Sequence, residues 1–246
     1  MRFILRVAAI VVLSTPALAQ TLLTYDLANE RVVPIDTTTG AMGFAATSPT
    51  TLQNSAVALD AKGQRLFIIG PTILTEIDLR ANTSSQRTMS SSPGVFDAVF
   101  DVTTGVIVGL TSGGIVFIDP ATGNVQTFLA LSLSLLFTGS PTIDAVGRRL
   151  FFLDPGGLVS VNLVSGQVQH IVLTANARAI AYDPLSQKLI GVAVFTDQFV
   201  LIDPATGASQ VMVSFGNAQL VGVRGLIEFA FDPFTRKGAV VTVSQS

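Results

Sequence analysis

The chemistry open to this chain is carboxylate chemistry. Its 246 residues contain no cysteine and a single histidine, His170, which excludes thiolate catalysis, cysteine or multi-histidine metal sites and the His-Glu-x-x-His helix. There is no Gly-x-Ser-x-Gly elbow, no P-loop and no dinucleotide fingerprint. His170 stands in the strand-like stretch 167–173 without a serine or aspartate in triad arrangement, and reads as a surface or half-buried histidine. Two other carboxylates are better placed. Asp97 and Glu228 each stand four residues before an aspartate that ends an apolar run, and the equivalent positions elsewhere are Ala56, Ser140 and Ala179. Arg178 precedes Ala179, and Arg224 enters the last of these runs. Asp97, Glu228 and Arg178 are therefore the candidate ligand-binding residues. Converging carboxylates suit a hard cation such as calcium or an acid/base pair; the alternative is that they are solvated or paired with Arg178.

The elements that would position these residues are announced by two interleaved ladders of turns. One is Asp36, Asp78, Asp119, Asn162 and Asp203, at intervals of 42, 41, 43 and 41 residues. Four residues beyond each stands Gly40, Asn82, Gly123, Gly166 or Gly207, residue types that accept positive φ. The leading side chain can close an Asx-turn, and in Asp119-Pro120-Ala121-Thr122-Gly123 and Asp203-Pro204-Ala205-Thr206-Gly207 proline presets the φ that follows. The other ladder is Asp60, Asp101, Asp144, Asp183 and Asp232, with Gly63, Gly105 and Gly147 three or four residues on and no such glycine after Asp183. Both ladders are structural turns, and around a ring their aspartates lie too far apart to share an ion.

A strand-rich repeat of 40–45 residues is the period of a β-propeller blade. Taking the ladders as A–B and C–D hairpins predicts an all-β fold with four contiguous four-stranded blades over 54–90, 94–132, 138–174 and 176–214. The rungs Asp36 and Asp232 are left without partners. Joining 226–232 and 238–244 to 31–36 and 41–46 gives a fifth blade, a closure that leaves no open interface between first and last units. Residues 21–27 have no obvious slot: they compete with 238–244 for the B position or add an edge strand. In this arrangement the A–B and C–D turns lie on one face, and the B–C and D–A loops form the other, the ligand face. Asp154 in Asp154-Pro155-Gly156-Gly157 and Asp197 belong to B–C loops on that face, and the long D–A loops 46–54 and 214–225, which flank the closure blade, are the other candidate recognition surface.

The segments Gly114-Ile115-Val116-Phe117-Ile118-Asp119-Pro120-Ala121-Thr122-Gly123 and Phe199-Val200-Leu201-Ile202-Asp203-Pro204-Ala205-Thr206-Gly207 resemble the repeats of bacterial extracytoplasmic propellers of the YVTN type and related WD40-like repeat families. The likeness spans most of the chain and implies fold. Quinoprotein propellers share an Asp-x-x-Thr-Gly turn but dock a tryptophan in each blade, and WD40 repeats end in Trp-Asp; this chain has no tryptophan.

Residues 1–19 read as a bacterial secretory signal: Arg2 and Arg6, the apolar stretch 7–13, Pro16, then Ala17-Leu18-Ala19 before the expected cleavage. Residues 20–246 then form a single domain, secreted or periplasmic. The apolar stretch is shorter than the roughly 20 residues a spanning helix needs, so no stable membrane span remains after cleavage. The mature chain carries twelve Lys and Arg against sixteen acidic residues, a formal net charge of −4, which speaks against nucleic acid. The expected function is a non-enzymatic module that recognises a protein, glycan or small ligand on its B–C/D–A loop face. The alternative is a metal-dependent hydrolase, lactonase- or glycosidase-like, that uses the channel carboxylates. Known gluconolactonase-type propellers have six blades and several acidic and amide channel ligands, whereas this chain offers five units and two acidic residues at that level. No cofactor is expected, with calcium as the one candidate.

Overall fold

The computed structural model describes residues 12–13, 21–26, 31–36, 56–131, 141–193, 196, 198–214, 227–232 and 237–242. They fall in two compact units, residues 1–135 and 136–246. The first unit holds a three-stranded sheet, β1 (Val12–Leu13), β2 (Thr21–Asp26) and β3 (Arg31–Asp36), and two four-stranded sheets. These are β4 (Ala56–Asp60), β5 (Arg65–Ile69), β6 (Ile73–Asp78) and β7 (Thr83–Thr88), then β8 (Val95–Asp101), β9 (Val106–Thr111), β10 (Gly114–Ile118) and β11 (Val125–Ala130). The second unit repeats the plan. One sheet is β12 (Thr142–Asp144), β13 (Arg149–Asp154), β14 (Gly157–Asn162) and β15 (Val168–Ile171), the next β16 (Ala179–Asp183), β17 (Lys188–Ala193), β18 (Gln198–Ile202) and β19 (Ser209–Ser214). A hairpin of β20 (Ile227–Asp232) and β21 (Lys237–Thr242) follows. Every strand pair is antiparallel.

Each four-stranded sheet grades from apolar to polar in chain order. The second strands, such as Leu66-Phe67-Ile68-Ile69 and Leu150-Phe151-Phe152-Leu153, are buried on both faces, and a strand with two covered faces is a continuous apolar run rather than an alternating one. The first strands alternate, with Ala56, Ala58 and Asp60 buried. The last strands, exemplified by Thr83–Thr88, are edge strands facing solvent, and Thr, Ser, Gln and Arg there discourage edge-to-edge pairing.

At the rungs whose turns are described, both ladders form turns, by different devices. In the first, positive φ falls on Asn82, Gly123, Gly166 and Gly207, and the amides of Gly123, Gly166 and Gly207 donate to the carbonyls of Asp119, Asn162 and Asp203 at 2.8–2.9 Å. Gly40 lies outside the described residues. In the second ladder the positive-φ residue at each described turn is four beyond the aspartate: Gln64, Gly105, Arg148 and Gln187. Gly63 and Gly147 serve another purpose, since a Cβ on either would come within 2.2 Å of the Asp60 or Asp144 carboxylate. Their amides donate to Oδ1 at 2.8 and 2.9 Å, while Arg65 and Arg149 reach Oδ2 at 2.7 and 3.1 Å. Asp101 and Asp183 have Thr104 and Ser186 at that place, whose hydroxyls donate to Oδ2 at 2.5 and 2.7 Å. All four aspartates are buried, and each carboxylate is satisfied within its own turn.

Within each unit one sheet clasps the next. The Ser90 amide donates to the Gly123 carbonyl and the Val125 amide to Ser90 Oγ. Eighty-four residues on, the Thr174 amide donates to the Gly207 carbonyl and the Ser209 amide to Thr174 Oγ1. The C–D turns at Asp119 and Asp203 therefore abut segments that leave a preceding D strand, instead of lying on a face remote from the D–A loops as expected. Strand twist accounts for this correction, because it swings the outer strands over the neighbouring sheet. Stacked rings join the same sheets: Phe67 on Phe100 at 5.5 Å, Phe151 on Tyr182 at 5.9 Å. Arg65 and Arg149 each lie 5.3 Å from the ring of Phe67 and Phe151.

At the chain ends, β2 pairs with β3 along its whole length, Thr21 opposite Asp36, the register that Arg149 and Asn162 show between β13 and β14. The β20–β21 hairpin is paired in the same way, Asp232 opposite Lys237, so 237–242 and 21–26 both have the pairing of a B strand, and 21–26 has it with β3. A four-residue connection makes this pairing cheap in chain entropy. Val12–Leu13, within the stretch read as a signal, pairs with Thr21–Leu22. In the second unit β20 packs beside β16 as β8 does beside β4 in the first, which marks it as a further first strand. The 41–46 segment of the expected closure blade lies outside the described residues.

Candidate functional site

Strand register places Ala56, Asp97, Ala179 and Glu228 at one level, each four pairs from its A–B turn, opposite Ile69, Leu110, Val192 and Val241. Ser140 lies outside the described residues. At this level Ala56 and Ala179 are buried among apolar neighbours, because positions two and four before a buried aspartate share its face. Asp97 follows an irregularity in the β8–β9 register and is half-buried, its Oδ1 accepting the Ala98 amide at 2.8 Å. It belongs to the first unit; Arg178 and Glu228 belong to the second, and the Glu228 side chain lies outside the described part. Asp197 and the loops 46–54 and 215–225 are also outside it. Among the described residues no three acidic or histidine side chains are grouped to hold a metal ion.

What the second unit does present is a groove of about 690 Å³. Its walls are the B–C turn at Asp154-Pro155-Gly156-Gly157 and the D–A segment 172–178, which brings in Arg178. The turn is tight for a physical reason: Gly157 adopts φ 136°, and a Cβ there would sit 2.5 Å from the Ile171 carbonyl. Asp154 Oδ1 accepts the Gly156 amide at 2.7 Å, and its Oδ2 lies 3.5 Å from His170 Nδ1. That proximity went unseen in the sequence, where the two residues are sixteen apart. It follows from register, since Leu158 opposite Ile171 sets His170 on the strand edge beside the B–C turn.

A second hollow of about 280 Å³ lies on the other side of the D–A segment, and Thr174, Ala175 and Asn176 form the wall between them. Apart from Asn176, its polar side chains are engaged with one another or with nearby groups. Thr174 Oγ1 and Ser209 Oγ are 2.7 Å apart, Thr196 Oγ1 donates to the Ala193 carbonyl, and Gln198 Nε2 donates to Ser214 Oγ. What the hollow offers a ligand is therefore chiefly the carbon of Ala175, Ala193, Val200 and Val211. The Asn176 amide is exposed and has no hydrogen-bond partner among the described residues.

Comparison of the whole chain with solved structures decides the architecture. It is similar to a gluconolactonase from Xanthomonas campestris, at TM-score 0.64 and 13% identity over 96% of this chain and 82% of that one. It is similar to a chain of a nidogen–laminin complex, at TM-score 0.62 and 14% identity over 87% and 81%, and to the Pan2 WD40 domain of Neurospora crassa, at TM-score 0.59 and 12% identity over 91% and 69%. The fold is that of a β-propeller repeat protein. At these identities the likeness concerns the fold alone. No family model and no curated protein matches the sequence. The four four-stranded antiparallel sheets among the described residues are consistent with four blades of such a propeller.

Proposed function

We propose that this β-propeller is an exported, non-enzymatic interaction module that recognises a protein, glycan or small ligand on its B–C/D–A loop side. The observation that carries this reading is the 690 Å³ groove between the 154–157 turn and the 172–178 segment. It has the size of a ligand cleft, and a small number of polar side chains (Asp154, Thr174, Asn176, Arg178) stand among turns and small residues. Export rests on the pattern of residues 1–19. Five blades closed by both termini is the arrangement that goes with it, the partial sheets at the two ends of the sequence supplying the strands of the fifth. A screen of small fragments followed by NMR is expected to shift resonances of residues 153–157 and 172–178. Shifts confined to the A–B turns at Asp60, Asp101, Asp144 and Asp183 would end this assignment of the binding side.

The second reading, a metal-dependent hydrolase, is favoured by the similarity in fold to a gluconolactonase and by the equivalent register positions of Asp97 and Glu228, each within its own hairpin. Calcium that binds only the folded chain would raise its melting midpoint. The interaction-module reading expects no calcium-dependent midpoint and no turnover of gluconolactone in the wild type. A calcium-induced rise together with turnover, both lost on Asp97→Asn with Glu228→Gln, would establish the hydrolase instead.

A further inference from the structure

Building on the loop-side reading, we propose that the two hollows flanking Asn176 form one site for an extended, uncharged peptide segment with an apolar side chain. The smaller hollow takes that side chain. Its 280 Å³ exceed the volume of any single aliphatic side chain, and its hydroxyls and the Gln198 Nε2 are already bonded within the protein, which leaves the Asn176 amide on its wall as the unengaged side-chain group among the described residues. A polar or charged ligand group placed there beyond the reach of that amide would be left without partners, and burying a polar group unpaired is costly.

Asn176 then reads the main chain. A primary amide carries both a donor and an acceptor, the complement of a peptide group, and this one stands on the common wall with neither in use among the described residues. The larger groove takes the continuing backbone. Gly156, Gly157, Ala175 and Ala177 allow close approach, and one carboxylate, Asp154, with one guanidinium, Arg178, leaves the lining balanced in charge. A strongly acidic or basic segment gains nothing there. A carbohydrate is the less suited occupant, because apart from the Asn176 amide the smaller hollow turns chiefly carbon toward its ligand.

The test is an NMR titration of the wild-type chain with the acetylated, amidated pentapeptide Gly-Ala-Leu-Ala-Gly, its counterpart with serine in place of leucine, and maltotriose. The leucine peptide is expected to perturb both hollows and to bind about tenfold more tightly than the serine peptide. Thr196→Trp, which fills the smaller hollow from its exposed rim, is expected to abolish that difference. Asn176→Ala is expected to weaken both peptides by about threefold or more with the melting midpoint unchanged. Equal affinity for the two peptides, no peptide binding, or Asn176-dependent binding of maltotriose alone would each overturn the proposal. Fragments that still map to residues 153–157 and 172–178 would then leave the loop-side reading standing while the peptide inference fell.

Discussion

A buried aspartate that ends an A strand must find partners within its own turn, and the chain solves this in two ways. Where the third following residue is glycine, as at Gly63 and Gly147, the carboxylate lies against the backbone and turns its other oxygen to an arginine. Where it is Thr104 or Ser186, a hydroxyl takes the arginine's place. Gly147→Ala should therefore displace Asp144, break its link to Arg149 and cost about 1–3 kcal/mol, although φ at this position is not positive. A denaturation midpoint equal to wild type would refute the close-approach explanation. Burial, with the Asp144 carboxylate beside it, holds the Tyr182 hydroxyl above the usual tyrosine range. Asp203 shows the reverse effect, because its hydrogen bond from Lys188 and those from the Ala205 and Thr206 amides lower its pKa to about 2. A carboxyl held low when folded and ordinary when unfolded, near 3.9, contributes stability that is complete above the unfolded value and lost as pH falls through about 2. NMR titration should find the Asp203 midpoint near 2 and moved upward in Lys188→Met; a midpoint indifferent to that change would show that Lys188 is not its cause.

At the scale of elements, the clasps at Ser90 and Thr174 tie a D–A segment to the C–D turn of the following sheet, and the second clasp also builds the wall of the groove. Thr174→Val keeps the shape and removes the hydroxyl. It should cost about 1 kcal/mol and speed amide exchange at Ser209, while Ser90→Ala should act on Val125 alone. Equal effects of both variants on both sites would show that the clasps are not local. The elements themselves were legible: periodic apolar runs, Asp-Pro-Ala-Thr-Gly turns and a 41- to 43-residue spacing need only local chemistry. The sequence reading also placed Asp97, Ala56, Ala179 and Glu228 at one register level. It missed that the level is packed at both alanines, because facing strands of neighbouring sheets cannot be seen along one strand. It missed the His170–Asp154 approach and the Asn176 wall for the same reason, since both depend on how a D strand ends beside a B–C turn. The Gly63 and Gly147 signals were visible but carry a steric meaning that only the carboxylate's position reveals.

For the whole molecule, β21 is the only strand paired with β20 among the described residues. Deleting residues 237–246 would bare the β20 edge, and an uncovered edge strand lowers stability and invites association. The truncated protein should melt earlier and enter larger species in size-exclusion chromatography. A truncated chain that stays monomeric and keeps the full-length midpoint would show that the C-terminal hairpin is dispensable to the fold and remove the support for closure by both termini.

The correspondence between the two units carries a history. Asp60, Gly63, Arg65, Phe67, Ser90 and Gly123 recur as Asp144, Gly147, Arg149, Phe151, Thr174 and Gly207, each 84 residues later, while adjacent sheets within a unit differ in how they hold their aspartate. Had single blades been copied one after another, neighbours would be the most alike. Alternation is instead the pattern that copying of an already diverged pair leaves: a glycine–arginine form followed by a hydroxyl form, repeated as one piece with its clasp.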